Sequence, residues 1–202
     1  FLVDAAQSAG YRDIDMKKSG ISMMAVAPHK GLHAPQGVGL LLISKGEVRP
    51  FRYGGTGTDS AKPQPSELPE ALESGTLPTP AIAGLNAAFK YTAEHAESDR
   101  KKLTGMFIYT LGELSKIHGL VIYTKREYGG PVISFNVRGM SSAEAGNILS
   151  DEYDICVRCG LHCAPLVHKH YGTLKDGMIR IALGVDNTIC LLYTSDAADD
   201  LI

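Results

Sequence analysis

The sequence lacks any long apolar run, and none approaches the roughly 20 residues that a helix needs to span a bilayer. It also lacks an excess of charge, because 20 basic and 22 acidic residues leave a net charge of −2. We therefore expect no membrane partner and no nucleic-acid partner. A hydrophobic content of 44% provides ample material for a globular core.

The start of the chain has neither a methionine nor a targeting segment, and opens on the apolar residues Phe1, Leu2 and Val3. Such a start is typical of a buried strand, so we expect the chain to begin partway through a domain of a cytoplasmic protein. At the other end, residues 190–202 change abruptly in character and resemble translated sequencing-adapter sequence. We predict that this tail is not native and takes no part in the fold.

Cysteine is scarce, and three of the four cysteines lie between residues 156 and 163. This spacing suits reactive or metal-binding thiols better than a disulfide framework. A thiol beside Arg158 and His162 is expected to have a pKa below its usual value of about 8.5. Buried, inert cysteines are one alternative. A metal site is another, but the second CxxC pair of strong zinc sites is absent, and we expect no metal. Candidate ligands for that alternative are Cys156, Cys159, Cys163, His162, His168 and His170.

Short apolar segments separated by turns and helices predict an α/β fold with a buried, mostly parallel sheet. Its strands are expected at residues 2–3, 21–27 and 38–44. A short amphipathic segment is expected at residues 14–20. Asp4 and Gln7 follow the first strand, at the end where open α/β sheets bind ligands.

The remaining sequence predicts three further features. Residues 50–80 form a long loop rich in glycine and proline, in which Gly-Gly-Thr-Gly-Thr at 54–58 is a weak anion-binding signal. A long helix follows Pro80. Strands at 120–123, 131–137, 155–157 and 178–183 accompany a helix at 141–150 that begins at a Ser-Ser-x-Glu cap. The predicted parts are the end of a large domain (1–80), a linking helix (81–118) and a small α+β domain (119–189).

Lys30 is the most informative single residue, because it lies between two apolar segments at the centre of residues 25–43. A lysine held between buried strands is costly unless it is paired or used covalently. One interpretation is a solvated loop lysine. The other is a Schiff-base lysine, kept partly neutral so that it can attack a carbonyl.

Five segments occur in register along residues 1–188: VDAAQSAG, APHKG with PQGVG, ESGTLPTPAIAGL, VRCGLHCAP and IRIALGVDNT. Together they resemble the C-terminal half of a cysteine desulfurase. The resemblance implies a fold-type I, class V aminotransferase fold and dependence on pyridoxal 5'-phosphate. It also implies that this chain lacks the N-terminal half of the enzyme and the active-site residues in that half. This chain alone is therefore expected to be inactive.

The resemblance assigns cofactor-binding roles to five residues. Asp4 is expected to pair with the pyridinium nitrogen, and Gln7 to hydrogen-bond the phenolic oxygen of the ring. Lys30 is expected to bind the cofactor covalently, with His29 near the phosphate. Thr76 resembles the threonine that reaches the phosphate of a neighbouring subunit, which implies a homodimer with shared active sites.

The resemblance also assigns a reaction. Cys163 is expected to attack the sulfur of L-cysteine, carry it as a persulfide and release alanine, while Arg180 and Arg158 bind substrate. A sulfur-acceptor protein is the implied partner, in iron–sulfur or thio-cofactor biosynthesis. Selenocysteine lyase, another lyase or transaminase of this fold, and an inactive fragment that only dimerises or binds an acceptor are the alternatives. Ala27 and Pro28 depart from the usual Ser/Thr and Gly, which removes one expected phosphate hydrogen bond.

Overall fold

A computed structural model describes residues 1–55, 57 and 61–189. The chain divides into two compact units, Phe1–Ala96 and Glu97–Ile202. The division falls inside a helix, within the part of the sequence that is predicted to link two domains. In the Gly-Gly-Thr-Gly-Thr segment, Thr56 and Thr58 lie outside the described residues, as does the predicted non-native tail.

The first unit contains a three-stranded sheet of β1 (Leu2–Asp4), β2 (Met23–Val26) and β3 (Leu40–Ile43) in that order. β1 and β2 are parallel, as the sequence predicts, whereas β2 and β3 are antiparallel. The chain returns from β2 to β3 through a run of turns rather than through a crossover helix, which explains the reversal. The core of this sheet consists of Ala5, Ile21, Met24 and Val26.

The amphipathic segment predicted at residues 14–20 packs Ile14 and Met16 against this core and exposes its other residues, and residues 16–20 form consecutive turns rather than a helix. A carboxylate oxygen of Asp15 accepts a hydrogen bond of 2.9 Å from the backbone N–H of Lys18. Such local side-chain bonding competes with helix formation. Further along the chain, residues Glu70–Leu72 form one turn of 3₁₀ helix.

The long helix α1 (Thr79–Leu114) is continuous over 36 residues. Pro80 stands in its first turn, where a missing N–H costs nothing. In the first unit, Leu85 and Ala88 of α1 pack against Ala34. In the second unit, Met106 and Phe107 are fully buried.

The second unit contains an antiparallel sheet in the order β4-β5-β7-β6. Its strands are β4 (Leu120–Ile122), β5 (Val132–Val137), β6 (Arg158–Gly160) and β7 (Met178–Ala182), with a 3₁₀ turn at Arg126–Tyr128. Two helices accompany them, α2 (Ser142–Tyr153) and α3 (Pro165–Tyr171). The core joins sheet to α2 through Phe135, Ala145, Leu149 and Ile179.

Local signals explain which elements of this unit are predictable. The predicted cap of α2 is confirmed, since the Ser141 hydroxyl accepts a hydrogen bond of 3.2 Å from the Glu144 N–H. The predicted strand at 155–157 is wrong, because β6 begins at Arg158 rather than ending before it. After Asp154, which ends α2 in a left-handed conformation, the Ile155 N–H bonds to the Leu149 carbonyl instead of to a strand. No helix of the described residues is long and apolar enough to cross a membrane.

Candidate functional site

The Lys30 segment lies at the carboxyl edge of the two parallel strands. Asp4 is the last residue of β1, and Lys30 follows the end of β2 by four residues. Parallel neighbours end at the same edge of a sheet, where α/β folds bind ligands. Pro28, which is buried, accepts a hydrogen bond from the Ala34 N–H at 3.1 Å and so closes the loop around Lys30.

Two glycines bring the loop after β1 against the loop that carries Lys30. A Cβ atom at Gly10 would lie 2.1 Å from the Gly31 carbonyl oxygen, and one at Gly31 would lie 2.3 Å from the Ala9 carbonyl oxygen. The Tyr11 ring covers the same contact, and burial raises the pKa of its hydroxyl. This backbone contact fixes the position of the segment with Asp4 and Gln7 relative to Lys30. The side chains of these three residues take no part in it.

The polar side chains at this edge are open to a ligand. One Asp4 oxygen accepts a hydrogen bond of 2.9 Å from the Ala6 N–H, which orients a carboxylate that is otherwise exposed. Gln7 is exposed, and Lys30 is half-buried; neither side chain bonds to another described residue. A carboxylate can accept a hydrogen bond from a pyridinium N–H, an amide can donate one to a phenolic oxygen, and an amine can attack an aldehyde, so these residues fit pyridoxal phosphate.

His29 and Thr76 are both exposed in the first unit, and no contact of the described residues assigns either a role. Thr76 follows Gly75, whose N–H donates to the Gly55 carbonyl at 2.7 Å. This bond joins the two ends of the long loop. The phosphate contacts predicted for His29 and Thr76 stay predictions.

In the second unit, Cys163 lies on a tight turn, here called the thiol turn (residues 161–164). The Ala164 N–H donates to the Leu161 carbonyl at 2.8 Å, which closes the turn. Its two central residues have positive φ, 51° at His162 and 60° at Cys163, as in a type I′ turn. The Cys163 side chain is exposed, and α3 begins directly after the turn.

The His162 ring is bound to the neighbouring strand. Its Nε2 lies 2.9 Å from the Met178 carbonyl oxygen, and its ring packs on that of His168 at 5.9 Å. Burial lowers the pKa of His162, and the positive charges of Arg180 and Arg158 lower it further. The neutral form of the ring is therefore favoured at neutral pH.

Two arginines face each other across the sheet of this unit. Arg158 of β6 is directly opposite Arg180 of β7 in the antiparallel register, so both side chains project from one face. The Nε atom of Arg180 is buried and has no hydrogen-bond partner, and no acidic group of the described residues pairs with either arginine. Like charges placed opposite each other are unfavourable, and an anion between them would relieve the repulsion.

The other cysteines differ from Cys163. Cys159 packs against α2, where a Cβ atom at Gly146 would lie 2.1 Å from the Cys159 Sγ. For Cys159 the expectation of a lowered pKa is wrong, because burial raises the pKa of its thiol. Cys156 is exposed. In the described part of the chain, no three His, Cys, Asp or Glu residues are grouped as metal ligands.

The predicted site residues therefore lie in two sets, one in each unit. The first contains Asp4, Gln7 and Lys30, and the second contains Arg158, Cys163 and Arg180. Sequence reasoning did not predict the contact between Gly10 and Gly31, because the two residues are distant in sequence. It also missed the restraint on His162, although its position directly before Cys163 was a usable signal.

Comparisons with known proteins agree with one family. The family model described as "Aminotransferase class-V" matches residues 1–190. A Pyrococcus abyssi protein named "Probable cysteine desulfurase" is 34% identical over 203 residues, and the match covers 94% of this chain and 48% of that protein. A Pectobacterium carotovorum cysteine desulfurase is 31% identical over 200 residues, covering 93% of this chain and 47% of its own.

A solved structure has the same fold. The apo cysteine desulfurase of Thermococcus onnurineus superposes with a TM-score of 0.84 at 28% identity, covering 100% of this chain and 52% of the other. The chain thus spans about half the length of the proteins it matches.

Proposed function

Because this chain belongs to the class V aminotransferase family, we propose that the complete protein is a cysteine desulfurase. The reaction moves sulfur from L-cysteine to Cys163 and releases L-alanine. The observation that carries the proposal is the exposed Cys163 thiol in the second unit, on a restrained turn that follows a strand beginning at Arg158. A transaminase has no need of such a thiol.

Asp4, Gln7 and Lys30 would hold pyridoxal phosphate. Asp4 would keep the pyridine nitrogen protonated, Gln7 would bind the phenolic oxygen, and Lys30 would attach the cofactor and move the substrate α-proton. When bound, the cofactor supplies an electron sink for the bonds at the substrate α-carbon. Ala27 provides no hydroxyl for the phosphate, which leaves His29 and Thr76 as the proposed contacts.

The thiolate of Cys163 is the proposed nucleophile. Its sulfur attacks the thiol sulfur of L-cysteine, so that a sulfur–sulfur bond forms and the substrate carbon–sulfur bond breaks. The electron pair of the broken bond stays with the carbon skeleton, which takes up a proton and leaves as alanine. The product on the enzyme is a Cys163 persulfide, and Cys159 is excluded from this role by its contact with α2.

Arg158 and Arg180 bind the substrate carboxylate in this proposal. The unpaired Nε of Arg180 and the cross-strand repulsion between the two guanidinium groups both favour an anion. The complete protein is proposed to act as a homodimer that passes sulfur to an acceptor protein, with Thr76 at the site shared between subunits.

The test is to incubate the complete, cofactor-loaded protein with L-cysteine and a reductant, and to measure alanine and sulfide together. We expect equal amounts of the two products, and loss of both on Cys163→Ser. Cys156→Ser is the matched control, since it removes an exposed thiol from the same segment, and it should retain activity. Sulfide release that persists in Cys163→Ser would contradict the proposal, and faster turnover of selenocysteine than of cysteine would instead support a selenocysteine lyase.

A further inference from the structure

The thiol turn stores backbone strain. His162 and Cys163 are adjacent, neither is glycine, and both have positive φ. An L-residue in the left-handed region is disfavoured, and such residues persist only where the surroundings hold them. Histidine tolerates this region better than most side chains do, whereas cysteine has no such preference. The turn therefore needs a restraint close to Cys163.

The His162 side chain provides that restraint. A carbonyl oxygen only accepts hydrogen bonds, so the 2.9 Å contact with Met178 assigns the hydrogen to Nε2 of His162. Met178 is the first residue of β7, and its side chain is buried. The other ring in contact, that of His168, is also buried and bonds through Nδ1 to the Thr173 hydroxyl at 2.9 Å.

The protonation state of His162 matters to this arrangement. With the hydrogen on Nε2, the neutral ring has a bare acceptor at Nδ1, and this atom is buried without a partner. The charged groups that face the ring are Arg158 on β6, Arg180 on β7 and the titratable ring of His168 on α3. A second proton would add a buried, unpaired donor beside two guanidinium groups, which is unfavourable.

We propose that His162 is a positioning residue for Cys163. The His162 ring donates a hydrogen bond to the Met178 carbonyl and packs on the ring of His168, which is itself bonded to Thr173. These two contacts hold the thiol turn in the left-handed conformation that exposes the Cys163 thiol. Only the expected effect of His162 on turnover rests on the proposed desulfurase function. The restraint itself is a property of the turn, whatever reaction Cys163 performs.

The first measurement is independent of activity. Hydrogen exchange of the Ala164 amide, which closes the thiol turn, is compared at residue resolution in the complete protein and its variants. We expect His162→Ala to accelerate this exchange by about tenfold, because one hydrogen bond and the left-handed preference are lost together. His162→Asn should recover part of the protection, since asparagine tolerates positive φ. His170→Ala, which removes an exposed ring from α3, should leave the exchange unchanged.

The second measurement is turnover. His162→Ala should lower kcat for sulfide release by about tenfold, leave KM for L-cysteine within twofold, and retain the absorbance change on adding cysteine. Unchanged exchange of the Ala164 amide in His162→Ala would overturn the inference. So would faster exchange throughout the second unit, which would indicate a general structural role. If the wild-type protein releases no sulfide, the proposed function fails while the exchange result still decides the role of His162. If His162→Ala does not fold, the same comparison is made with His162→Gln.

Discussion

Gly10 and Gly31 are in backbone contact, and neither position has room for a side chain. Gly10 has a φ of 88°, so a substitution there combines strain with collision. Gly31 has an ordinary φ, so a substitution there probes the contact alone. This pair joins the loop that carries Asp4 and Gln7 to the loop that carries Lys30.

Gly31→Ala should destabilise the protein by about 1–3 kcal/mol, the usual cost of overpacking a close contact. The added methyl group would lie 2.3 Å from the Ala9 carbonyl oxygen, so the two loops must separate. Urea unfolding measures the loss, and cofactor titration should show weaker binding. Gly105→Ala is the matched control on an exposed face of α1, where no atom lies within 4 Å of the new methyl group. That change should stabilise the protein by roughly 0.5–1 kcal/mol.

Lys30→Ala should abolish covalent attachment of pyridoxal phosphate. Treatment with borohydride, followed by mass spectrometry of the peptide that contains residue 30, should show the added mass in the wild type only. Lys45→Ala, at an exposed position after β3, should retain the labelled Lys30 peptide. A labelled lysine elsewhere in the Lys30→Ala protein would show that the assignment is wrong.

Arg158→Gln should make the protein more stable and at the same time weaken its binding of L-cysteine. Removing one of two opposed like charges should raise the free energy of unfolding by about 0.2–1 kcal/mol. The same change should raise KM for L-cysteine, because half of the proposed carboxylate site is lost. Thermal unfolding and steady-state kinetics make the two measurements on one sample. If Arg158→Gln lowered both the stability and the affinity for L-cysteine, the two arginines would not be repelling each other in the free protein, and the hypothesis would be wrong.

The stability of the protein should decline as the pH falls below about 6.5, the ordinary pKa of histidine. Burial lowers the pKa of folded His162, so the unfolded chain takes up the proton first as the pH falls. Proton binding then stabilises the unfolded chain relative to the folded protein. The decline should level off once the pH is low enough to protonate the folded ring as well. Urea midpoints measured from pH 8 to pH 5 at constant ionic strength test this. His162→Gln should reduce the slope and His170→Gln should preserve it; identical slopes in all three proteins would be evidence against it.

The predictable features of this chain are the ones encoded locally. The Ser141 cap and the apolar strands follow from residue types within a few positions of each other. The start of β6 at Arg158 does not, because the left-handed Asp154 and the Ile155–Leu149 bond delay the strand beyond its apolar residues. The helix α3 is short and has only one buried side chain, His168, so it shows no apolar periodicity. The contact between Gly10 and Gly31 joins residues that are distant in sequence, and composition gives no sign of it.

The position of Cys159 also decides what can happen to sulfur held on Cys163. A thiol that resolves a persulfide or a sulfenic acid must reach the modified sulfur as a thiolate. Cys159 lies only four residues away in sequence, but its sulfur contacts α2 and its raised pKa keeps it protonated. In the proposed desulfurase reaction, sulfur on Cys163 would thereby be protected from capture by this neighbour, and it would leave the thiol turn by transfer to another molecule rather than by closing a local disulfide.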